Sequence, residues 1–303
     1  MTENQCPLVS VVVITYNSAQ YVLETLNSIK EQSYSNIELI ISDDCSKDKT
    51  VEICRDWLAE NKEKFVRTEL ITVEKNTGTS ANINRGIKAS KGKWIKSIAG
   101  DDCLLPNCIS DNVSHVIKNE HVNILFSRVK PIGNVEEGRK WPFLNPEPFF
   151  SAFTPRQFRI LLCERNFLPA PSVFMRKSVW EQLGGYNEDI PLLEDWPMWM
   201  KATQMGYKLS FMNKETAEYR FSDSSSSQVN LSSAYLESRK KCVMIGQQFF
   251  KSMSIGSKYL FFTLSHASRN KLYHFLHYLN FINPFYYEYM NANRMFCQLR
   301  GTQ

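Results

Sequence analysis

Glycine and proline are both sparse, 12 of each in 303 residues, and neither builds a repeat. That excludes collagen-like and low-complexity chains. No G-x-G-x-x-G and no G-x-x-x-x-G-K-[ST] occurs anywhere, so neither the dinucleotide fingerprint nor the P-loop is present to cradle a phosphate. No run of 18 or more apolar residues exists, and the apolar segment Leu8 to Ile14 lacks a basic flank and a small-residue cleavage site; the reading is no spanning helix and no secretory signal. Eight cysteines are scattered without a C-x-x-C or a histidine at zinc-ligand spacing, which reads as reduced thiols in a cytosolic protein.

Charge is nearly absent as a net quantity until it is located. The whole chain carries +5, and the segment from Lys251 to Gln303 holds six Lys and Arg against Glu288 alone, leaving the first 250 residues neutral. With 43% hydrophobic and 22% charged residues the composition is that of an ordinary globular protein, long enough for one large α/β domain or two small ones.

The amino-terminal half alternates β-branched runs with helix-period segments. Strands are expected at Val9 to Ile14, Ile37 to Ile41, Glu69 to Val73 and Lys93 to Ile98. Helices are expected at about Ala19 to Gln32, Lys49 to Glu63 and Ser80 to Ala89, the second with Val51, Cys54, Trp57 and Leu58 on one face. This is a βαβαβαβ series, which right-handed crossovers build into an open sheet with the first and fourth strands adjacent at the switch point. Beyond residue 120 come a strand from Val122 to Phe126, a proline-broken stretch from Pro131 to Pro155, an apolar run at Ser172 to Met175 and a helix from Trp196 to Met205. Ser222 to Ser227 reads as a flexible link, followed by a helical tail with Tyr235, Leu236, Cys242, Val243, Phe249 and Phe250 at seven-residue spacing.

The strand ends carry acid where other nucleotide folds carry glycine. Asp43-Asp44 follows the second strand and Asp101-Asp102 the fourth. Carboxylate pairs converging on one crevice repel one another unless a cation or several donors meet them. A hard divalent ion answers that need, bound by one or two carboxylates and the phosphates of a ligand. Asp43-Asp44 is equally readable as turn and N-cap chemistry before Ser46 and Asp48, and Asp101-Asp102 as a solvated loop. Its position at the strand bordering the switch point favours a ligand site. A third pair, Glu194-Asp195, precedes Trp196-Pro197-Met198-Trp199. It suits a helix N-terminus and also a general base beside a hydroxyl nucleophile, with Trp196 and Trp199 stacked on a sugar or packed in the core.

The blocks Val9 to Asn17, Ile40 to Asp48, Asn76-Thr77-Gly78 through Asn84-Arg85-Gly86, Gly100-Asp101-Asp102 and Glu194-Asp195 resemble the inverting glycosyltransferases of family 2, over about residues 8 to 222. The resemblance implies a GT-A fold, a Rossmann-like open twisted mostly parallel sheet flanked by helices. It also implies a nucleotide-sugar donor, usually a UDP-sugar, held with Mn²⁺ or Mg²⁺. It casts Thr15, Tyr16, Asn17, Asp44 and Asn76 as base and ribose contacts and Asp101 as the metal-binding acid of the D-x-D motif with Asp102 adjacent. Asp195 becomes the catalytic base, with Glu194 beside it, and Arg220 the cation near the diphosphate. One departure stands out: where the family commonly writes Asp-x-Asp-Asp, this chain has Ala99 in place of the first acid.

The expected organisation is a catalytic domain over residues 1–228 and a helical extension over 229–303. The tail interleaves 12 aromatic residues with its basic ones, a pattern suited to an anionic lipid surface and also to simple docking on the domain; nucleic acid is a competing reading of the charge that is not adopted. The functional expectation is a metal-dependent glycosyltransferase of bacterial surface polysaccharide (O-antigen) synthesis, with a saccharide acceptor on undecaprenyl diphosphate. It would be cytoplasmic and peripheral on the inner membrane. A non-catalytic nucleotide-sugar or glycan-binding module is the alternative, resting on Ala99.

Overall fold

The computed structural model describes residues 6–133, 150, 153–163, 166–221 and 233–252. Strands β1 (Val9–Thr15) and β2 (Ile37–Asp43) are buried along nearly their whole length, which is why their sequences run apolar without alternating. Helices α1 (Val22–Lys30), α2 (Thr50–Asn61) and α3 (Thr79–Ala89) connect them to β3 (Arg67–Thr72) and β4 (Trp94–Ala99). In α2 the buried residues are Thr50, Cys54 and Trp57, with Val51 and Leu58 only half-buried. The four strands pair in parallel in the order β3-β2-β1-β4. The expected neighbours β1 and β4 are in register from Val9↔Trp94 to Ile14↔Ala99, so their carboxyl ends open into one crevice.

The second half is mixed. It contributes β5 (Cys103–Leu104), α4 (Cys108–Lys118), β6 (Ile124–Gly133), α5 (Pro155–Leu162), β7 (Phe174–Arg176), α6 (Lys177–Gln182), α7 (Asp195–Gln204), β8 (Leu209–Phe221) and α8 (Ser233–Ser252). The eight-stranded sheet continues β4-β7-β6-β8-β5, with β7 antiparallel to both neighbours, β8 parallel to β6 and β5 antiparallel to β8. Pro131, expected to break the chain, is inside β6. Its neighbour β7 pairs only at Ile124 and Leu125, so the proline lies where no ladder bond is needed on that side.

Side chains of β1 alternate between two cores. Val12 joins Ile83, Ile87, Phe126 and Trp199 on one face, while Val11 and Val13 join Leu39, Trp57, Trp94 and Ile109 on the other. A Cβ on Gly86 would lie 2.4 Å from Val12 Cγ1, so the missing side chain is what lets α3 ride directly on β1. Below the crevice, Glu38 of β2 is fully buried. It accepts from Ser10 Oγ at 2.5 Å, Arg67 at 2.9 Å, Gly92 N at 2.8 Å and Lys91 N. Burial alone would raise its pKa, but these four donors outweigh it and hold the carboxylate below its ordinary range.

Helix α8 packs on the domain through Tyr235, Ser238, Cys242, Ile245 and Gly246, with Cys242 and Ser238 buried. That is a single 3.6-period stripe. Leu236 is 47% exposed, whereas Val243, one heptad on, is half-buried against the core beside Cys242. The side chains of Phe249 and Phe250, the link at 222–227 and the basic aromatic tail beyond 252 lie outside the described residues.

Candidate active site

A cavity of about 460 Å³ opens at the carboxyl ends of β1, β2 and β4. Its wall includes Thr15, Tyr16, Asp44, Asn76, Asp101, Asp102, Glu194 and Asp195, so eight of the ten residues singled out from sequence share one crevice. Gly100 fits there because a Cβ would meet Thr15 Cγ2 at 2.8 Å.

The base-side residues divide by what their atoms are doing. Tyr16 is 50% exposed. Thr15 donates its hydroxyl to Asp43 at 2.8 Å, and Asp43 also accepts from Ser46 N at 2.8 Å and from the Ser46 hydroxyl at 2.5 Å; Asp43 is turn chemistry. The Asp44 carboxylate accepts from Thr77 N, Gly78 N, the Thr77 hydroxyl and Arg85 at 2.6–3.2 Å. Four donors leave it little capacity for a ligand, so its work in this structure is to hold the Asn76–Gly78 turn on the cavity rim. Asn17 is not among the lining residues. It has φ 51°, and its Oδ1 accepts from Lys47 N at 2.8 Å, closing the turn behind Tyr16.

Asp101 and Asp102 sit where β4 ends. Asp102 is 2% exposed and accepts from Arg220 N at 2.8 Å. The Asp101 carboxylate accepts no hydrogen bond from another described residue, while its backbone oxygen accepts from Arg220 Nε at 2.8 Å. Burial raises both pKa values, and the charge of Asp101 raises that of Asp102 further. Arg220 does not turn its guanidinium into the cavity. It donates to Glu24 at 2.5 Å and lies over the Tyr21 ring at 4.4 Å, an ion pair and a stacking surface on α1 that sequence gave no reason to expect. Lys96, fully buried in the middle of β4, donates to Pro171 O at 2.6 Å.

Among the described residues no group of three or more His, Cys, Asp and Glu forms a self-contained metal cage. One carboxylate without a donor and a second beside it, both destabilised by burial, are nonetheless the donor set of a hard divalent ion that completes its shell with phosphate oxygens. The residues fit such an ion; they do not form a site that would bind it tightly alone.

Across the cavity, Asp195 begins α7 with Glu194 at the cap position. Asn166 Nδ2 donates to Asp195 Oδ2 at 2.7 Å. Burial is the main reason Asp195 is pushed up to about 6, with the Asn166 hydrogen bond and the helix-start N–H of Trp196 opposing it. Glu194 is pushed up to about 8 by burial and then by the charge of Asp195. Trp199 lines the cavity and its buried indole N–H makes no hydrogen bond, although it faces Asp195 closely enough to favour the ionised carboxyl. Trp196 is core: its indole N–H donates to Leu162 O at 2.6 Å. Tyr186, Asn166 and Tyr235 are site residues the sequence did not disclose, each a single residue in a loop or on a helix with no motif around it.

The profile of "Glycosyl transferase family 2" matches residues 10–184. The chain belongs to this family. It is 29% identical over 217 residues to a glycosyltransferase of Haemophilus influenzae, a match covering 66% of this chain and 62% of that protein. It is also 26% identical to the hyaluronan synthase of Pasteurella multocida over 215 residues, 70% of this chain but only 20% of the synthase. Among solved structures, TarS 1–349 of S. aureus in complex with UDP-GlcNAc has a TM-score of 0.66 at 19% identity, covering 96% of this chain and 81% of that one. A mannosyltransferase of Pyrobaculum calidifontis in complex with GDP-Man and Mn²⁺ has a TM-score of 0.55 at 16% identity, covering 98% and 88%. These likenesses establish the GT-A fold, and the chain spans about three fifths of the length of the Haemophilus relative and one fifth of the synthase. No helix among the described residues is long and apolar enough to cross a membrane.

Proposed function

We propose that this family 2 glycosyltransferase moves a sugar, with inversion, from a UDP-sugar to a hydroxyl of a saccharide acceptor, with Asp195 as general base. The observation that carries the reading is the cavity itself: Asp101 and Asp195 both line one space of about 460 Å³, room for a donor sugar between a phosphate site and a base. Tyr16 and Asn76 line the same cavity and would contact the uracil and ribose. The ionised Asp195, oriented by Asn166, removes the acceptor proton; the oxygen attacks the anomeric carbon opposite the leaving diphosphate, and configuration inverts. Asp101, with Asp102 behind it, would hold a divalent ion, Mn²⁺ or Mg²⁺, which when bound supplies charge neutralisation to the diphosphate. Arg220 would reach the same phosphates on leaving Glu24, so a carboxylate and a diphosphate compete for one guanidinium.

The setting is bacterial surface polysaccharide synthesis, with a lipid-linked acceptor and a protein that is cytoplasmic and peripheral on the inner membrane. Residues 1–228 supply the catalytic domain and 229–303 the extension that meets the membrane. The basic aromatic composition of the tail supports this. The test is turnover of UDP-sugars with Mn²⁺ on lipid-linked saccharides, with anomeric configuration read by NMR. Retention of configuration, or full activity in Asp195→Asn, overturns the mechanism.

A further inference from the structure

The helix α8 lies beyond the family match, which ends at residue 184, yet it touches both segments that hold Asp195. On one side it grips the turn leading into Glu194-Asp195. Ser238 Oγ accepts from Leu192 N at 3.4 Å, Cys242 Sγ faces Leu193 O at 4.0 Å, and Lys241 Nζ donates to Asp189 O at 2.8 Å. Leu193, the residue between those grips and the acid pair, has φ 63°, a left-handed conformation that a leucine keeps only when its surroundings impose it. On the other side, Gly246 approaches the backbone of Cys163 so closely that a Cβ would lie 2.7 Å from its carbonyl oxygen. Cys163 is three residues before Asn166, the donor to Asp195. The same helix places Tyr235 in the cavity wall.

We propose that α8 is a positioning element of the reaction centre: Ser238, Lys241 and Cys242 hold the Leu192–Leu193 turn, and Gly246 the Cys163 segment, so that the Asp195 carboxylate stays buried and aimed into the cavity. This rests on the reading of Asp195 as base. The helix does not touch substrate through these residues; it acts through Leu193 and Asn166. The titratable groups that face Asp195 are Glu194 on its own helix, Tyr186 from the loop after α6 and Cys242 from α8. Burial, together with the charges of Asp195 and Glu194, pushes the Cys242 thiol up to about 12, which places α8 within electrostatic reach of the pair.

The test uses the full chain carrying Ser238→Ala with Lys241→Met, and separately Gly246→Ala. Carbon-detected NMR, with Asp195→Asn assigning the resonance, follows the titration of the Asp195 carboxyl, and hydrogen exchange follows amides 192–196. In Ser238→Ala with Lys241→Met, releasing the turn admits water, so the Asp195 midpoint is expected to fall by about one unit or more toward ordinary aspartate, with exchange at 192–196 rising at least tenfold; in Gly246→Ala, which displaces the Cys163 segment and loosens the Asn166 hydrogen bond, the midpoint is expected to rise. In turnover with a UDP-sugar, kcat drops at least tenfold while the donor KM stays within twofold. An unchanged midpoint and unchanged exchange in folded variants overturn the proposal. If the double variant does not fold, Gly246→Ala and Ser238→Ala alone give the same readouts. Should Asp195→Asn keep full turnover while the midpoint still moves, the base reading fails and the positioning of the carboxyl stands.

Discussion

At the scale of single residues, the chemistry turns on which carboxylates are already satisfied. Asp43, Asp44 and Glu38 are filled with donors, whereas Asp101 and Asp195 keep oxygen atoms for a ligand. Asp195→Asn should lower kcat by roughly 10²- to 10⁴-fold, the usual contribution of a general base, measured by UDP release. With Asp195 as the proposed base the ionised form would be the active one, so kcat should rise with pH through about 6, the value to which burial pushes Asp195. Asn166 donates to the charged carboxylate; Asn166→Ala therefore moves that acid limb to higher pH, and a limb that moves down or stays fixed would remove Asn166 from the site. Glu38→Gln should destabilise the fold, because a buried acceptor of Arg67 loses its charge. Since the folded pKa of Glu38 lies below its ordinary value, its stabilising contribution is present above the unfolded glutamate range and fades as pH falls through the folded value; acid titration of Tm in both proteins checks this.

At the scale of elements, the amino-terminal strands and helices were legible because buried parallel strands are continuous β-branched runs, and the acid pairs stand at their ends. Strand β8 was not legible. Its burial alternates poorly, and its pairing with β6 slips at Ser127/Arg128 and Arg128/Val129, so no period survives in the sequence. Helix α4 does bury Cys108, Ile109, Asn112, Val113 and Val116 at helical spacing, but the polar residues between them and the nearby Asp101-Asp102 motif obscure it. The side-chain partners of Asn17 and Arg220 were not legible for a different reason: family position says which loop a residue occupies, not which neighbour holds its side chain. The turn at Gly78 joins two elements of the site. Its φ is 88°, and a Cβ would meet Pro191 Cβ at 2.6 Å. Gly78→Ala should cost about 1–3 kcal/mol of stability, read by denaturant unfolding, and weaken donor binding by displacing Asn76.

At the scale of the whole molecule, a donor that binds only the folded protein should raise Tm by mass action, about 2.7 kcal/mol of added stability at a ligand concentration of 100 Kd. UDP-sugars with Mn²⁺ should shift Tm further than either alone, and Asp101→Ala should abolish the difference. The full chain is expected to sediment with anionic vesicles, a chain ending at residue 252 should not, and high salt should weaken the binding. The sheet order carries a consequence for how the protein is made. The short strand β5 appears early in the chain, but its strand partner among the described residues is β8, which is synthesised about a hundred residues later. On the ribosome, therefore, the parallel strands can assemble while the β5 edge waits for its partner, and a nascent chain halted before residue 209 would carry Asp101 and Asp102 beside an unfinished, aggregation-prone border.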